Sequence, residues 1–284
     1  MSSVTQRINE IKQPTGGYIN PNMFTTIEIV DEYEIKDVRP IIKSNIGLAV
    51  DYLTRYYLLK EKNPDNALTE AFKISLLGAS LVGQLLDASC LLHKIGELNE
   101  KTVLYALNLV RYDIAYRVSP DKYVNKGLVY YSSDVINNII IMVKRSLKFA
   151  KEYGPIIKTG FDFEGGYSDI ITAGDGDFMT EDTLWDFKTS KNEPNAKQIL
   201  QLLIYYLLGI HSLDDEFLYV ERLGIFNPEL NKVYLLNLKD VPNEVFYKVS
   251  KDVIGYEMLQ EDYESWLLIN KEDSLKDILQ FVSL

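Results

Sequence analysis

The chain has 284 residues, 46% hydrophobic and 25% charged, the balance of a folded globular protein rather than a disordered one. Its one cysteine, Cys90, excludes a disulfide framework and a cysteine-based zinc site. Thirty Lys and Arg against 41 Asp and Glu give a net charge of −11, which argues against a protein that coats nucleic acid non-specifically, because phosphate neutralisation dominates such binding.

Residues 1–22, with Ser2, Ser3, Thr5, Pro14, Gly16, Gly17 and Pro21, read as a loose arm. The arm lacks the charged-then-apolar layout of a secretory signal, and no apolar run reaches the roughly 18 residues that cross a bilayer. The expected location is therefore the cytoplasm, with no membrane partner. Helical periodicity begins near Ser44 and runs through Ile46, Val50, Leu53 and Tyr57. Further helices are expected at 66–86, 90–95 and 100–118, before Ser119-Pro120-Asp121 breaks the chain. Ser133 or Asp134 caps the next helix, whose Ile136, Ile139, Ile140, Val143 and Leu147 form an apolar stripe.

The texture then changes. Short β-type runs are expected at 167–172, 177–179 and 183–189, then one helix at 194–210 and a hairpin of 217–226 with 232–238 around Asn227-Pro228-Glu229. The stretch beyond 240 reads as helical. This order predicts an α/β (α+β) fold, with a central mixed sheet flanked by helices. A helical elaboration at 23–132, a core at 133–240 and a C-terminal segment at 241–284 are expected to form one domain. Charge is uneven along it: residues 240–284 hold ten acids and four bases, whereas 139–160 hold five bases and one acid.

The densest polar cluster lies at 165–189. Thr180-Glu181-Asp182-Thr183 reads as a tight turn, and if Glu181 and Asp182 are its two loop residues, Asp177 faces Asp186 and Asp175 faces Lys188. Asp186 and Lys188 are two apart and share a face of the strand, while Trp185 and Phe187 point the other way, into the core. Opposed carboxylates destabilise a sheet unless something offsets them. A hard divalent cation does so, since Mg²⁺ takes one or two carboxylates and completes its octahedron with water and phosphate oxygens. A neighbouring lysine can then stabilise developing negative charge or position the attacking water. That is the chemistry of phosphodiester hydrolysis.

Asp177 followed by Asp186-Phe187-Lys188 resembles the acid plus Asp/Glu-x-Lys signature of the PD-(D/E)XK nuclease superfamily. Gln201-Leu202-Leu203-Ile204-Tyr205 resembles the Gln-x-x-x-Tyr motif of its RecB-like and Cas4-like exonuclease branch, in which the glutamine sits near the metal and the tyrosine supports it. Gly166-Tyr167-Ser168-Asp169 resembles that branch's Gly-x-x-Asp element. Asp169 is therefore a rival to Asp177 as first metal ligand; the hairpin register favours Asp177, the spelling Asp169. Upstream, Gly47-Leu48-Ala49-Val50-Asp51 has the spacing of the branch's Gly-x-x-x-His element with aspartate in the last place.

The resemblance implies a restriction-endonuclease-like core and a Mg²⁺- or Mn²⁺-dependent nuclease acting on DNA. Phage, prophage or DNA-repair settings, with a helicase or recombination partner, go with that branch. Asp177 (or Asp169) and Asp186 would bind metal, with Asp51 a further candidate; Lys188 would assist water and Gln201 orient the site. Lys144, Lys148 and Lys151 recur on one helical face and, with Lys191 and Lys197, are the candidate phosphate contacts.

Each element also has a plainer reading. Asp51 and Arg55 form an i,i+4 helix pair, His93 sits on a helix surface, and His211 complements a helix C-terminus as a cation. The pairs Tyr56-Tyr57 and Tyr205-Tyr206 are packing residues at helical spacing. Asp175-Gly176-Asp177 starts like a calcium loop, but Met179 and Thr180 stand where an oxygen ligand and the required glycine belong. The alternative from another class is a nucleic-acid-binding or protein-interaction module that keeps the fold without turnover, and the −11 charge is its best support.

Overall fold

The computed structural model describes residues 2–38 and 43–257. In chain order its regular elements are β1 (Ser2–Ser3), α1 (Val4–Glu10), β2 (Thr25–Glu28), α2 (Lys43–Lys62), α3 (Ala67–Ala71), α4 (Lys73–Leu81), α5 (Leu85–Leu92), α6 (Glu100–Leu109), α7 (Asp113–Arg117), α8 (Ser133–Tyr153), β3 (Ile156–Phe161), β4 (Ile171–Ala173), β5 (Gly176–Thr180), β6 (Thr183–Phe187), α9 (Ala196–Ile210), β7 (Arg222–Asn227), β8 (Lys232–Asn237) and α10 (Asn243–Lys248). The fold is mixed α/β, as the pattern predicts. The chain groups into two compact units, Val30–Glu152 and the residues on either side of it. Helix α8, assigned to the core by its stripe, groups with the helical unit instead.

In the unit built from both chain ends, β2-β8-β7-β6-β5-β3 form a six-stranded sheet. Only β6 and β7 pair in parallel; every other neighbour is antiparallel. A parallel pair needs a crossover, and α9 supplies it. Asn195 caps α9: its side chain accepts from Lys197 and Gln198 N–H while the Gln198 side chain accepts from the Asn195 N–H, a capping box. From Ile199 to Ile210 every side chain of α9 is buried except Gln201, which is half-buried. The helix is therefore a core element with one polar interruption. It joins Met179, Leu184, Leu223, Ile225 and Leu236 of the sheet in one apolar cluster.

The N-terminal arm is not loose. Ser2 and Ser3 pair with β4, Ser3 and Gln6 make a second capping box, and Val4 and Ile8, one turn apart on α1, are buried in the same cluster. The arm's small polar residues serve as a cap rather than a linker. Strand β3 was also missed; six residues directly after Pro155 are too few for a clear period. Its edge position pairs it with β5.

In the helical unit, the expected long helix at 66–86 breaks at Phe72 and again at 82–84, where Gly83 takes φ +69. α5 thus starts at Leu85, not at Cys90. α8 begins at Ser133, and the Ser132 hydroxyl accepts from the Val135 N–H at 3.4 Å. Residues 31–36 run along α8: Arg145, buried, donates to both oxygens of Asp31 at 2.7 and 3.0 Å, and Asn138 exchanges hydrogen bonds with the Lys36 backbone. Asp113, only 2% exposed, accepts from the Tyr52 and Ser75 hydroxyls, each at 2.5 Å, which ties α2, α4 and α7 together. The expected C-terminal helix begins as α10; what lies beyond 257 falls outside the described residues. No helix among the described residues is long and apolar enough to cross a membrane.

Candidate functional site

β5 and β6 pair with Phe178 opposite Trp185 and Met179 opposite Leu184, the register expected from the Glu181-Asp182 turn. Side chains alternate along each strand, so Asp177 and Met179 share a face with Leu184 and Asp186. This is the face covered by α9. The opposite face carries Phe178, Phe187 and Phe226, with ring centroids 5.5 Å apart at each step. Trp185 is buried as expected, and the other face of β6 is buried too, with Asp186 only 2% exposed.

Asp186 lies near the carboxyl end of β6, and its partners come from the next residues of the chain and from α9. Lys188 Nζ donates to Asp186 Oδ1 at 2.9 Å and to Gln201 Oε1 at 2.9 Å. Gln201 Nε2 donates to the Tyr205 hydroxyl at 2.9 Å, and the Tyr205 ring stacks on Phe163 at 5.2 Å. Gln201 is tolerated in an apolar helix because both ends of its amide are satisfied. Asp177 accepts the Phe187 backbone N–H at 2.8 Å, which holds it beside Asp186.

One acceptor is unmet. Asp186 Oδ2 is buried and receives no directed hydrogen bond, although the Lys188 ammonium that is aimed at Oδ1 lies 2.8 Å from it. Burial raises the Asp186 carboxyl to about 7; Lys188 opposes the rise and Asp177 adds to it. Burial also raises the Tyr205 hydroxyl, with further upward pushes from Asp186, Asp177 and Asp175 against the Gln201 hydrogen bond. Tyr205 therefore stays neutral and acts as a hydrogen-bonding phenol.

The donor set fits a hard divalent cation. Two carboxylates converge, one with an unsatisfied oxygen, and Mg²⁺ characteristically uses one or two protein carboxylates with waters in its remaining positions. Among the described residues no group of three or more His, Cys, Asp or Glu side chains gathers that could hold a metal. Asp169 is exposed on the turn before β4. In that turn the Ser168 hydroxyl accepts from Ile170 and Ile171 N–H and donates to the Ile254 carbonyl. Gly166 has its own structural reason, since a Cβ there would lie 2.0 Å from the Leu208 carbonyl oxygen of α9.

The remaining predicted residues are dispersed. Asp51, in the helical unit, pairs with Arg55 at 2.8 Å, the i,i+4 contact that its spacing allows. Lys144 sits 5.0 Å over the Tyr33 ring and Lys148 is 3.7 Å from Glu152, while Lys151 is exposed. Two other bases of the 139–160 run are internally matched, Arg145 by Asp31 and Lys158 by Asp214 and Glu216. Lys191 is exposed on the loop before α9, and Lys197 donates to Asn9 at 2.8 Å. His93 is exposed as expected, with Nδ1 2.7 Å from the Ser89 carbonyl. His211 is not a cation at the helix end: burial lowers its pKa to about 4, so it is neutral at pH 7.

No family model, curated protein or solved structure matches this chain.

Proposed function

We propose that the β6–α9 site is that of a Mg²⁺- or Mn²⁺-dependent nuclease of PD-(D/E)XK type, hydrolysing phosphodiester bonds, with DNA as the substrate class. The observation that carries the reading is the buried Asp186 with an unmet oxygen, tied through Lys188 and Gln201 to Tyr205 and flanked by Asp177. A lysine and a glutamine joined in this way at a strand end, beneath a core helix, are more than solvated surface charge. Ligand sites in α/β sheets also favour the carboxyl ends of strands.

In this reading Asp177 and Asp186 hold the cation. The cation supplies polarisation of a phosphoryl oxygen and a lowered pKa for bound water. Lys188, which lies between Asp186 and Gln201, would direct its ammonium at negative charge developing on the phosphoryl group or at the attacking water. Gln201 limits where that ammonium can go, and Tyr205 fixes the amide. Residues 188–195, between β6 and α9, bring Lys191 to the same end of the strand. RecB-like exonuclease action, a phage or repair setting and a helicase or recombination partner are the finer form of the proposal, and rest on the motif resemblance alone.

A second reading has its own support. Lys188 already neutralises Asp186 in the structure, and a chain at −11 repels phosphate at long range, so the same network could brace a non-catalytic binding module. Labelled linear and circular DNA incubated with Mg²⁺ or Mn²⁺, with and without EDTA, separates the two. Cleavage that EDTA stops supports the nuclease; binding without cleavage in either metal supports the module. Loss of linear but not circular substrate would identify exonuclease action.

A further inference from the structure

We infer that the helical unit carries a platform for single-stranded nucleic acid, formed by the exposed segment 122–130. The choice of nucleic acid as the polyanion rests on the nuclease reading; the surface itself is independent of it. Residues 119–131 fold back along α6 and α7. Tyr123 stacks on Tyr112 at 4.8 Å, Arg111 donates to the Gly127 and Val124 carbonyls at 2.8 and 3.3 Å, and Asn108 exchanges hydrogen bonds with Val129. These contacts turn Tyr123 and Val129 inward. Lys122, Val124, Lys126, Leu128 and Tyr130 are exposed, as are Asn125 and Gly127, so two lysines, two aliphatic side chains and a tyrosine stand on the outer side of this irregular segment.

Two features of the whole molecule coincide here. Val30–Glu152 contains 17 Lys and Arg against 15 Asp and Glu, whereas the rest of the chain contains 13 against 26. Among the described residues, the strongly exposed aromatic rings are Tyr116 and Tyr130, both in this unit. Tyr130 is 76% exposed and Tyr116 50%. Asp121 is the one acid between 119 and 131, and Asp87 of α5 lies near Tyr112 beneath the segment. A cationic strip with protruding rings and aliphatic steps fits a polymer of phosphates and unpaired bases: lysines neutralise the backbone and the rings stack on base faces. The face of α8 expected to bind phosphate is less open, because Lys144 covers Tyr33 and Lys148 meets Glu152.

The test is fluorescence anisotropy of a labelled, unstructured oligothymidine with the full chain in EDTA, so that no turnover occurs, across a salt series. Tyr130→Ala should weaken binding by about 5- to 150-fold, the range for one stacked base, and Tyr130→Phe should restore it. The double variant Lys122→Gln, Lys126→Gln should flatten the salt slope by about 1.4, two contacts at about 0.7 each for a single strand. These side chains are exposed, so unchanged circular dichroism will confirm folding. Wild-type affinity and slope in all variants would overturn the inference while leaving the nuclease reading intact. Weaker binding in the variants, in a protein that never cleaves DNA, would support the platform and overturn the nuclease. Variant-sensitive binding to phosphatidylserine vesicles, with no oligothymidine binding, would overturn the inference in favour of a membrane surface.

Discussion

Each unit of the protein buries an aspartate to the same 2% exposure, and the two are treated in opposite ways. Asp113, in the helical unit, has a hydroxyl donor on each oxygen, Ser75 on Oδ1 and Tyr52 on Oδ2, with Arg117 alongside at 3.4 Å. Asp186, in the sheet unit, has one ammonium, Lys188, aimed at Oδ1 and 2.8 Å from Oδ2, and a second carboxylate, Asp177, beside it. A buried carboxyl whose lone pairs are met serves the fold. One held next to like charge and served by a single ammonium costs stability.

Removing each acid should expose the contrast. Asp186→Asn and Lys188→Ala should each abolish metal-dependent cleavage, the largest effect expected, with the purified variants folded; full activity in either would break the comparison at its functional end. Asp113→Ala leaves the Tyr52 and Ser75 hydroxyls buried without their acceptor and should cost about 2–5 kcal/mol in denaturant unfolding. Asp186→Asn in metal-free protein should cost less than about 1 kcal/mol, because it removes the repulsion with Asp177. Equal losses would mean that Asp186 is structural after all.

The pH dependence of metal-free stability sharpens the same point. Burial lifts Asp186 to about 7 in the folded protein, against about 3.9 when unfolded. Between these values the folded state keeps a proton that the unfolded state has lost. The stabilising contribution is therefore full below the unfolded value and is lost as pH rises towards 7. Asp113 is also raised by burial, so the wild-type curve contains both acids. The difference between wild type and Asp186→Asn isolates one, and it should decline over that window; a difference that does not change with pH contradicts the buried, proton-binding carboxyl.

Smaller effects follow from the supporting residues. Gln201→Leu matches the apolar character of α9 but removes the acceptor that positions Lys188. It should lower activity by about 10- to 100-fold, the range for groups that orient a metal site, and cost about 1–3 kcal/mol, because the buried Tyr205 hydroxyl loses its partner. Asn195→Ala removes the cap at the same end of α9 and should cost about 1 kcal/mol, read as a lower melting temperature with activity retained at 20 °C.

The sheet side of the site was legible because a two-residue turn fixes a register, and the period of two then fixes faces. The turn from Thr180 to Thr183 alone therefore puts Asp177 and Asp186 on one face. Burial was not legible in that way. Alternation assigns Trp185 and Phe187 to the interior and Asp186 to the open side, yet α9 covers the second face as well, which only the tertiary arrangement shows. Gln201 was the available signal, since an isolated amide in an apolar helix must find polar partners in the core. His211 failed for the same reason: its place after α9 suggests a cation, but its burial keeps it neutral. The division at residues 29/30 and 152/153 leaves no trace of Gly- or Pro-rich linker, because α8 ends directly at its boundary.

Mn²⁺ binding, followed by electron paramagnetic resonance on metal-free protein, tests most directly whether the spare oxygen of Asp186 is a ligand. Wild type should bind the ion with a defined affinity, and Asp186→Asn and Asp177→Ala should lose it, whereas Asp169→Ala should retain most of it. Retention of wild-type affinity in Asp186→Asn would contradict the account; loss in Asp169→Ala with retention in Asp177→Ala would transfer the first ligand to the exposed turn.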